Sequence, residues 1–361
     1  MIHSIQIIKQ IDRILGPVLL KIFPRALKRK KKSPHPNKIL IIRPGGMGDA
    51  ILLLPVLKAV SKKIKPAKID ILCEHRNQEI FHAVQFVNNT LSYKNPTDLI
   101  SVFRKQYDII IDTEQSHFLT AIITRLLKAD LKSGFHVNGR QKMYTISMPY
   151  RHDIYEADSF WNLIAKTLDF KESFLWDFPY FKQLKNNFIS DISFEKYICV
   201  FPGASIDERL WPEKSWAKVI DRLTQSGWKC VLLGSHKEIN QCRTIIKYCK
   251  TRDIINLCSQ LTILETTLVL KKSSLLISTD SGILHLGVLN DVSTVSLFGP
   301  GIEAKWAPKG HNHLVINKNL DCSPCTKFGT TPPCGNFKLC MLKITPMDVI
   351  NKAKKLITLN E

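Results

Sequence analysis

Acidic residues are scarce in this chain of 361 residues. It contains 52 lysines and arginines but only 31 aspartates and glutamates, which gives a formal net charge of +21 at pH 7. Such an excess indicates an anionic partner, which could be a nucleic acid, an acidic membrane surface or a phosphorylated substrate. The sequence also lacks an element on which basic and aromatic residues are interleaved, and this argues against a nucleic acid as the partner.

A secreted disulfide framework is absent as well. Of the ten cysteines, six stand singly in the body of the chain and four cluster near the C-terminus, which favours a reducing compartment. The low hydrophobic content of a disordered chain is also absent, because 44% of the residues are hydrophobic, enough for real cores. The length indicates about two domains.

The clustered cysteines are a candidate metal site. Cys322 and Cys325 are separated by two residues, Cys334 follows after eight more, and Cys340 after another five. This spacing could ligate zinc in a tetrahedral structural site. The alternative is that the four residues are free or disulfide-linked thiols that pack a loop, so that the chain holds no metal and no cofactor.

Residues 1–37 form an N-terminal extension. It lacks the uninterrupted apolar stretch of a membrane-spanning helix and the small-residue cleavage site of a signal peptide. One broad helical face is apolar: Ile5, Ile7, Ile8, Ile11, Ile14, Leu15, Val18, Leu19 and Ile22. Gly16-Pro17 is expected to kink this helix, and the polybasic run Lys28–Lys32 follows. The pattern predicts a helix that lies on an anionic membrane leaflet, and the alternative is a helix packed on the protein's own body.

The stretch Lys38–Ala59 has the pattern of a strand, a tight loop and a helix, with Ile39–Ile42 as the apolar strand. The loop residues are Pro44, Gly45, Gly46, Met47 and Gly48. Glycines let a ligand approach the backbone, and the helix N-terminus that follows offers unpaired N–H groups. Asp49, which opens the helix, is therefore predicted where open α/β sheets bind their ligands. The alternative is that Asp49 is only an N-cap.

Beyond this stretch, strand and helix patterns alternate, which favours a mostly parallel, doubly wound sheet. Strands are predicted at Lys68–Cys73, Tyr107–Asp112 and Ser133–Val137, and helices at Asn77–Phe86, Ser116–Leu127 and Glu156–Leu168. Asp112 and Glu114 could line a cleft at a strand's carboxyl end, although capping and solvent exposure also explain them. His136, Arg140 and Lys142 are candidates for binding an anionic acceptor, but nothing in the sequence separates them from ordinary surface residues.

A second α/β unit follows Phe181–Glu195, which is predicted to be a linker. Its predicted strands are Tyr197–Phe201, Lys229–Leu233, Leu275–Thr279 and Val292–Phe298, and its predicted helices run from Trp211 to Ser226, over Lys237–Lys250, over Thr262–Lys271 and from Ile283. The loop Asp280–Gly282 precedes a helix, so its N–H groups could hold a diphosphate. Arg209 could add a fixed positive charge against the same group. Two such halves predict a ligand in a cleft between them.

Three segments, GGMGDAILLLP, FPGASIDERLWPEKSW and ISTDSGILHLGVLNDVSTVSLFGP, resemble in order the three hallmark segments of glycosyltransferase family 9, the lipopolysaccharide heptosyltransferases. The resemblance covers the chain from Lys38 to the C-terminus. It implies an α/β architecture, the GT-B fold, in which two Rossmann-like doubly wound domains face each other across a cleft. After the extension 1–37, which the resemblance leaves out, the expected domains are an acceptor-binding domain 38–185, a nucleotide-sugar-binding domain 196–345 with the cysteine-rich tail, and a C-terminal helix 346–361.

By position, Asp49 matches the family's catalytic aspartate, which implies a general base that removes the proton from the acceptor hydroxyl. Arg209 stands where many members have a lysine, and the resemblance implies that it stabilises the leaving diphosphate. Arginine binds in a fork and lysine as a point charge, so the local geometry is expected to differ. The donor-binding residues that the resemblance implies are Ser205, Asp280, Ser281, Gly282 and His285, and it places the Gly45–Gly48 loop near the acceptor.

The reaction implied by the resemblance moves a heptose from an ADP-heptose to a lipid A or inner-core lipopolysaccharide acceptor, with inversion at the anomeric carbon. The sequence contains no Asp-x-Asp pair that would hold a diphosphate through a metal. The implied location is cytoplasmic, peripheral on the inner face of the inner membrane, where the positive charge would meet anionic lipid. Two alternatives remain open: a transferase of the same family that uses another nucleotide sugar, and a catalytically silent nucleotide- or lipid-binding protein with the same fold.

Overall fold

The computed structural model describes residues 2–26, 36–64, 67–176, 181–182 and 196–359, with only the backbone given for residues 2–9 and 359. The chain divides into two compact units, Met1–Lys182 and Gln183–Glu361. The polybasic run Lys28–Lys32 and most of the predicted linker Phe181–Glu195 lie outside the described residues. Each unit has a sheet of its own.

The first unit is built around six strands. They are β1 (Lys38–Arg43), β2 (Lys68–Cys73), β3 (Asn89–Ser92), β4 (Gln106–Asp112), β5 (Lys128–His136) and β6 (Ile146–Pro149). Its helices are α1 (Ile2–Ile22), α2 (Met47–Lys63), α3 (His75–His82), α4 (Pro96–Arg104), α5 (Phe118–Leu126) and α6 (Glu156–Leu168). The strand order is β3-β2-β1-β4-β5-β6, and every neighbouring pair is parallel. The apolar strands β1 and β4 lie in the middle, as expected where both faces of a sheet are covered.

The second unit repeats this design. Its strands are β7 (Tyr197–Phe201), β8 (Lys229–Leu232), β9 (Ile254–Asn256), β10 (Leu275–Thr279), β11 (Thr294–Leu297) and β12 (His313–Ile316). Its helices are α7 (Glu213–Gln225), α8 (Ile239–Tyr248), α9 (Ile263–Lys272), α10 (Gly282–Leu289), α11 (Glu303–Trp306), α12 (Leu339–Leu342) and α13 (Pro346–Leu359). The order is β12-β11-β10-β7-β8-β9, again with every neighbouring pair parallel. Helix α13 packs on α7 and on the sheet.

Both sheets have a doubly wound strand order that reverses once. The reversal lies between β1 and β4 in the first sheet and between β7 and β10 in the second. Open α/β sheets bind ligands outside the carboxyl ends of their strands at such a switch point. The predicted α/β class with two doubly wound sheets is confirmed, and each sheet has one place where a ligand site is expected.

Four strands that the sequence patterns do not predict are present: β3, β6, β9 and β12. Each of them is an edge strand of its sheet. Helix α4 is also unpredicted, and the predicted helix Asn77–Phe86 is instead the shorter α3, which starts two residues earlier.

One face of helix α1 packs on α5. The buried carboxylate of Asp12 accepts a hydrogen bond from the backbone N–H of Leu119 at 2.5 Å. At Gly16 the two helices approach so closely that a Cβ there would lie 2.4 Å from Cβ of Phe118. The helix is continuous through Pro17. This face of the extension is therefore packed on the protein's own body.

The opposite face of α1 is an apolar ridge. It consists of Ile11, Ile14, Leu15, Val18 and Ile22, whose side chains are 48% to 70% exposed. The side chains of Ile5, Ile7 and Ile8, which the sequence assigns to the same face, lie outside the described residues. Among the helices that the structure describes, none combines the length and apolarity needed to cross a membrane.

Candidate active site

The first candidate site begins where β1 ends. Arg43 is the last residue of β1, Gly45 has a positive φ of 92° in the loop, and Gly46 is the N-cap of α2. Glycine suits Gly45 because side chains rarely adopt that conformation. Helix α2 begins at Met47, so Met47 and Gly48 belong to its first turn and not to the predicted loop.

Asp49 is the third residue of α2, so the interpretation that it is only an N-cap is wrong. Its side chain is 21% exposed, and its Oδ2 lies 3.3 Å from Nη2 of Arg43. A carboxylate in the first turn of a helix is also favoured by the helix dipole. Asp49 therefore stands at the carboxyl end of β1 as a partly accessible carboxylate beside a buried arginine.

Arg43 links three segments of the chain, although only 1% of its side chain is exposed. Nε donates to the carbonyl oxygen of Pro44 and Nη1 to that of Thr113, each at 2.8 Å. Nη2 also lies 3.4 Å from Oε2 of Glu114 and 3.4 Å from Oε1 of Gln115. Because the last three of these residues follow β4, Arg43 ties the ends of β1 and β4 together at the switch point.

Glu114 is a buried carboxylate that stays ionised. Burial by itself would raise its pKa, but Arg43, His117 and Arg140 hold the pKa at about 2. Its Oε1 accepts a hydrogen bond from the backbone N–H of Ser116 at 3.0 Å. Solvent exposure, which the sequence offers as one explanation for Glu114, is therefore wrong.

A second buried ion pair lies beside Glu114. Nη2 of Arg140 is 2.8 Å from Oδ2 of Asp112, and both side chains are fully buried. Nη1 of Arg140 donates to the carbonyl oxygen of Glu114 at 2.6 Å, and the Tyr144 hydroxyl donates to Oδ2 of Asp112 at 2.7 Å. Because Arg140 is enclosed in the interior, its prediction as a binder of an anionic acceptor is wrong. His136, in contrast, is exposed at the end of β5.

Glu156 and Tyr150 extend the network, and sequence reasoning missed them both. Gln115 donates through Nε2 to Oε1 of Glu156, and the Tyr150 hydroxyl donates to Oε2 at 2.7 Å. Burial and the carboxylates of Glu156 and Asp49 raise the pKa of Tyr150, so the phenol keeps its proton and remains a donor. Arg43 was also missed. Its only signal in the sequence is a charged residue at the end of an apolar strand.

The second candidate site lies at the switch point of the second sheet. Arg209 ends a short turn, Asp207–Arg209, and Asp280 directly follows β10. Nη1 of Arg209 lies 3.2 Å from Oδ2 of Asp280, with the two side chains 14% and 4% exposed. The same Nη1 donates to the backbone oxygen of Asp280 at 3.4 Å. The structure thus brings together two residues that the sequence assigns to one site.

Helix α10 begins beside this ion pair. Ser281 is its N-cap and accepts a hydrogen bond from the N–H of Leu284 at 3.4 Å, and Gly282 is its first residue. His285 is buried in the first turn of α10. Burial lowers the pKa of His285 to about 4, with Asp280 opposing the shift, so the imidazole is neutral at neutral pH. The N-terminal N–H groups of α10 therefore open onto a site that contains one guanidinium and a neutral histidine.

Three buried atoms of this site have no hydrogen-bond partner among the residues that the structure describes: Nε of Arg209, Nδ1 of His285 and Oδ2 of Asp280. Oδ2 of Asp280 is still balanced by the charge of Arg209, 3.2 Å away. Buried polar atoms are nearly always satisfied, so Nε of Arg209 and Nδ1 of His285 are the places where a polar ligand would gain most. Gly301 lies against the pair, because a Cβ there would be 2.2 Å from Oδ2 of Asp280. Ser205 is exposed in the loop after β7.

The cysteine cluster lies next to the Gly299–Gly301 segment, because the backbone N–H of Cys325 donates to the carbonyl oxygen of Pro300 at 3.1 Å. All ten cysteines are free thiols, with Cys322 and Cys334 exposed and Cys340 buried. Throughout the described part of the chain, no group of three or more His, Cys, Asp or Glu side chains is arranged to hold a metal ion. The geometry therefore gives the zinc interpretation no support.

The chain is similar to proteins of one known family. The profile of the family described as Glycosyltransferase family 9 (heptosyltransferase) matches residues 99–334. The chain is similar to Lipooligosaccharide heptosyltransferase 2 of Campylobacter jejuni subsp. jejuni serotype O:6, with 26% identity over 330 residues, which are 89% of this chain and 99% of that protein.

Two solved structures are similar in fold. The first is E. coli ADP-heptose lps heptosyltransferase II, with a TM-score of 0.73, 19% identity and coverage of 90% of this chain and 99% of that chain. The second is the glycosyl transferase family 9 from Veillonella parvula DSM 2008, with a TM-score of 0.73, 19% identity and coverage of 90% and 97%. The matched family segment spans more than half of the chain and includes Arg209 and Asp280. The chain therefore belongs to glycosyltransferase family 9, the heptosyltransferase family, and is a glycosyltransferase.

Proposed function

We propose that this protein transfers a heptose from ADP-heptose to a lipid A or inner-core lipopolysaccharide acceptor, with inversion at the anomeric carbon. Family membership supports the reaction class, and the similar E. coli structure is named for an ADP-heptose donor. The first unit binds the acceptor and the second unit binds the nucleotide sugar. The proposed mechanism uses no divalent metal, in keeping with the lack of an Asp-x-Asp pair in the sequence.

Asp49 is the proposed general base. Its carboxylate is partly exposed at the carboxyl end of β1, and one of its oxygens lies 3.3 Å from Nη2 of Arg43. From this position it takes the proton of the acceptor hydroxyl as that oxygen attacks the anomeric carbon. The backbone of Gly45 and Gly46, with the first turn at Met47 and Gly48, lies beside the incoming acceptor.

Arg209 and the N-terminus of α10 are the proposed binding site for the diphosphate. Negative charge builds on this group as the bond to the sugar breaks, and fixed donors stabilise such charge most in a water-poor site. The observation that carries the proposal is the buried Nε of Arg209, which lacks a partner among the described residues beside a helix N-terminus. Asp280 orients the guanidinium, while Ser205, Ser281, Gly282 and His285 line the donor site.

The test is a transfer assay on the purified protein with a lipid A inner-core acceptor that lacks heptose. ADP-heptose, UDP-sugars and GDP-sugars are offered separately, and product is measured by mass spectrometry. We expect transfer from ADP-heptose alone. Arg209→Ala should abolish most of it, whereas the exposed Arg222→Ala, an arginine elsewhere in the same unit, should not. Transfer from a different nucleotide sugar would show that ADP-heptose is not the donor. ADP binding without any transfer would favour a catalytically silent binding protein.

We also propose that the enzyme is cytoplasmic and peripheral on the inner face of the inner membrane, with α1 as the contact. Asp12 and Gly16 fix α1 to the first unit, so the opposite ridge of five large apolar residues faces outward. Such a ridge, together with the polybasic sequence Lys28–Lys32, is typical of a helix in the headgroup region of an anionic leaflet.

The membrane contact is tested by flotation with vesicles that contain anionic phospholipid. Burial of one large apolar side chain contributes about 1.5–3 kcal/mol, so the double change Ile14→Glu and Val18→Glu should weaken binding by tenfold or more. Ile100→Glu is the matched control, because Ile100 is also half exposed but lies on α4. Equal binding by both proteins would rule out the ridge as the contact.

A further inference from the structure

The guanidinium of Arg43 is fixed in position by the backbone. Its Nε and Nη1 donate to the carbonyl oxygens of Pro44 and Thr113 at 2.8 Å, which is ordinary hydrogen-bond geometry. The Phe160 ring also lies near the guanidinium carbon, 5.5 Å from it at the centroid. Two of the three nitrogens are therefore occupied by the main chain, and only Nη2 is left for the carboxylates.

Nη2 of Arg43 is shared among three acceptors. Oδ2 of Asp49 lies at 3.3 Å, Oε2 of Glu114 at 3.4 Å and Oε1 of Gln115 at 3.4 Å. Close charge-assisted hydrogen bonds between a guanidinium and a carboxylate are shorter, about 2.7–2.9 Å. All three contacts are long, so no single acceptor holds Nη2.

Two carboxylates share Nη2 of Arg43. Oδ2 of Asp49 lies 3.3 Å from it and Oε2 of Glu114 lies 3.4 Å from it, and His117 and Arg140 also act on Glu114. Glu114 stays ionised at neutral pH although its side chain is only 4% exposed, because its pKa is held at about 2. An arginine that pairs with a single carboxylate stabilises the ionised form and lowers the pKa of that carboxylate, which makes it a weaker base. A second carboxylate on the same nitrogen weakens that effect.

We propose that Glu114 is a positioning residue that divides the charge of Arg43, so that Asp49 is oriented by the arginine yet keeps its ability to accept the acceptor's proton. The inference rests on the proposed role of Asp49 as the general base. Glu114 acts through Arg43 and does not itself touch the substrate. Gln115 supports the arrangement, because its amide nitrogen is bound to Glu156 and its oxygen is thereby turned toward Arg43.

The decisive variant is Glu114→Gln, which keeps the shape of the side chain and removes its charge. Of the two carboxylates on Nη2 of Arg43, only Asp49 then remains. We expect kcat for heptose transfer to fall about tenfold, a part of the roughly 10²–10⁴ that a general base contributes. The KM for the acceptor and the Kd for ADP should stay unchanged. Glu114→Asp keeps the charge but shortens the reach, so its kcat should lie between those of the wild type and Glu114→Gln.

A control and a double variant separate this role from a merely structural one. Glu74→Gln removes a similarly buried carboxylate that follows β2 and bonds Tyr93 instead of Arg43, and kcat should not change. In an Asp49→Asn background, Glu114→Gln should have no further effect on residual transfer, because the two residues act as one unit.

The inference and the proposed function fail in different ways. Wild-type kcat in Glu114→Gln, or an equal loss of rate in both backgrounds, would overturn the inference while the wild type still transfers heptose. Absence of transfer by the wild type itself would overturn the proposed function, and the inference with it.

Discussion

Gly301 packs against the carboxylate of Asp280, which in turn holds Arg209. A Cβ at this position would lie 2.2 Å from Oδ2, closer than any real contact, so Gly301→Ala must displace the ion pair. We expect the Kd for ADP to rise about tenfold, which corresponds to about 1.4 kcal/mol. Isothermal titration calorimetry measures this directly. Gly335→Ala is the matched control, because a Cβ at Gly335 meets nothing within 4 Å. Unchanged ADP affinity in Gly301→Ala would show that the pair does not serve the nucleotide.

Single residues divide into those that the sequence could reveal and those that it could not. Asp49 and Asp280 each stand in a glycine-containing turn between an apolar strand and a helix, and that local pattern is visible without a structure. Glu114 and Arg43 are 71 positions apart, and their contact exists only because β1 pairs with β4. Arg140 looks like a surface cation in the sequence, because nothing local shows that Asp112 lies opposite it in the interior.

At the scale of elements, the packing of α1 on α5 depends on the close approach at Gly16. Gly16→Leu places a side chain where even a Cβ would lie 2.4 Å from Phe118, and overpacking of this kind costs about 1–3 kcal/mol. We expect amide exchange in α1 to accelerate, while the amides of β1 stay protected. Hydrogen exchange by mass spectrometry measures both.

Val18→Leu is the control for the packing of α1, because it adds bulk on the exposed face of the same helix. Equal exchange in the wild type and Gly16→Leu would show that α1 is not held through this contact.

The elements that sequence patterns predicted are the buried ones. Central strands such as β1, β4, β7 and β10 are continuous apolar runs, as expected where both faces of a parallel sheet are covered. The four unpredicted strands are all edge strands, and they are short and partly exposed. Their apolar pattern is weak for that reason. The start of α2 was misjudged by two residues because Gly48 reads as loop, yet here it continues the helix.

At the scale of the whole molecule, two buried histidines predict a loss of stability on mild acidification. Burial lowers the pKa of His285 and of His313 to about 4, against an ordinary value of 6.5. Below pH 6.5 the unfolded chain therefore takes up protons that the folded chain does not, so the free energy of unfolding falls as the pH drops toward 4. Glu114 adds a further loss only below its ordinary pKa of 4.5, since its folded pKa is about 2.

Urea unfolding between pH 7 and pH 5 excludes Glu114, which stays ionised in both states over most of that range, and the double variant separates the histidines from Asp112, whose pKa is raised by burial. The double variant His285→Gln and His313→Gln should lose less stability over this interval than the wild type. Parallel pH dependences in the two proteins would contradict the prediction.

The architecture of the whole chain was the most predictable feature. Alternating strand and helix patterns predict parallel sheets, and both sheets have the order that places a ligand site at a switch point. The N-terminal extension was less predictable, because an amphipathic helix has the same pattern whether it covers a protein or a membrane. The structure divides this helix into a packed face that carries Asp12 and an exposed apolar ridge.

The most direct test of the proposed function compares heptose transfer by the wild type and Asp49→Asn, with ADP affinity measured for both. Asparagine keeps the shape of the side chain but cannot take the acceptor's proton. We predict that transfer from ADP-heptose falls by roughly 10²–10⁴-fold while the Kd for ADP is unchanged. Transfer by Asp49→Asn at the wild-type rate would contradict the assignment of Asp49 as the general base.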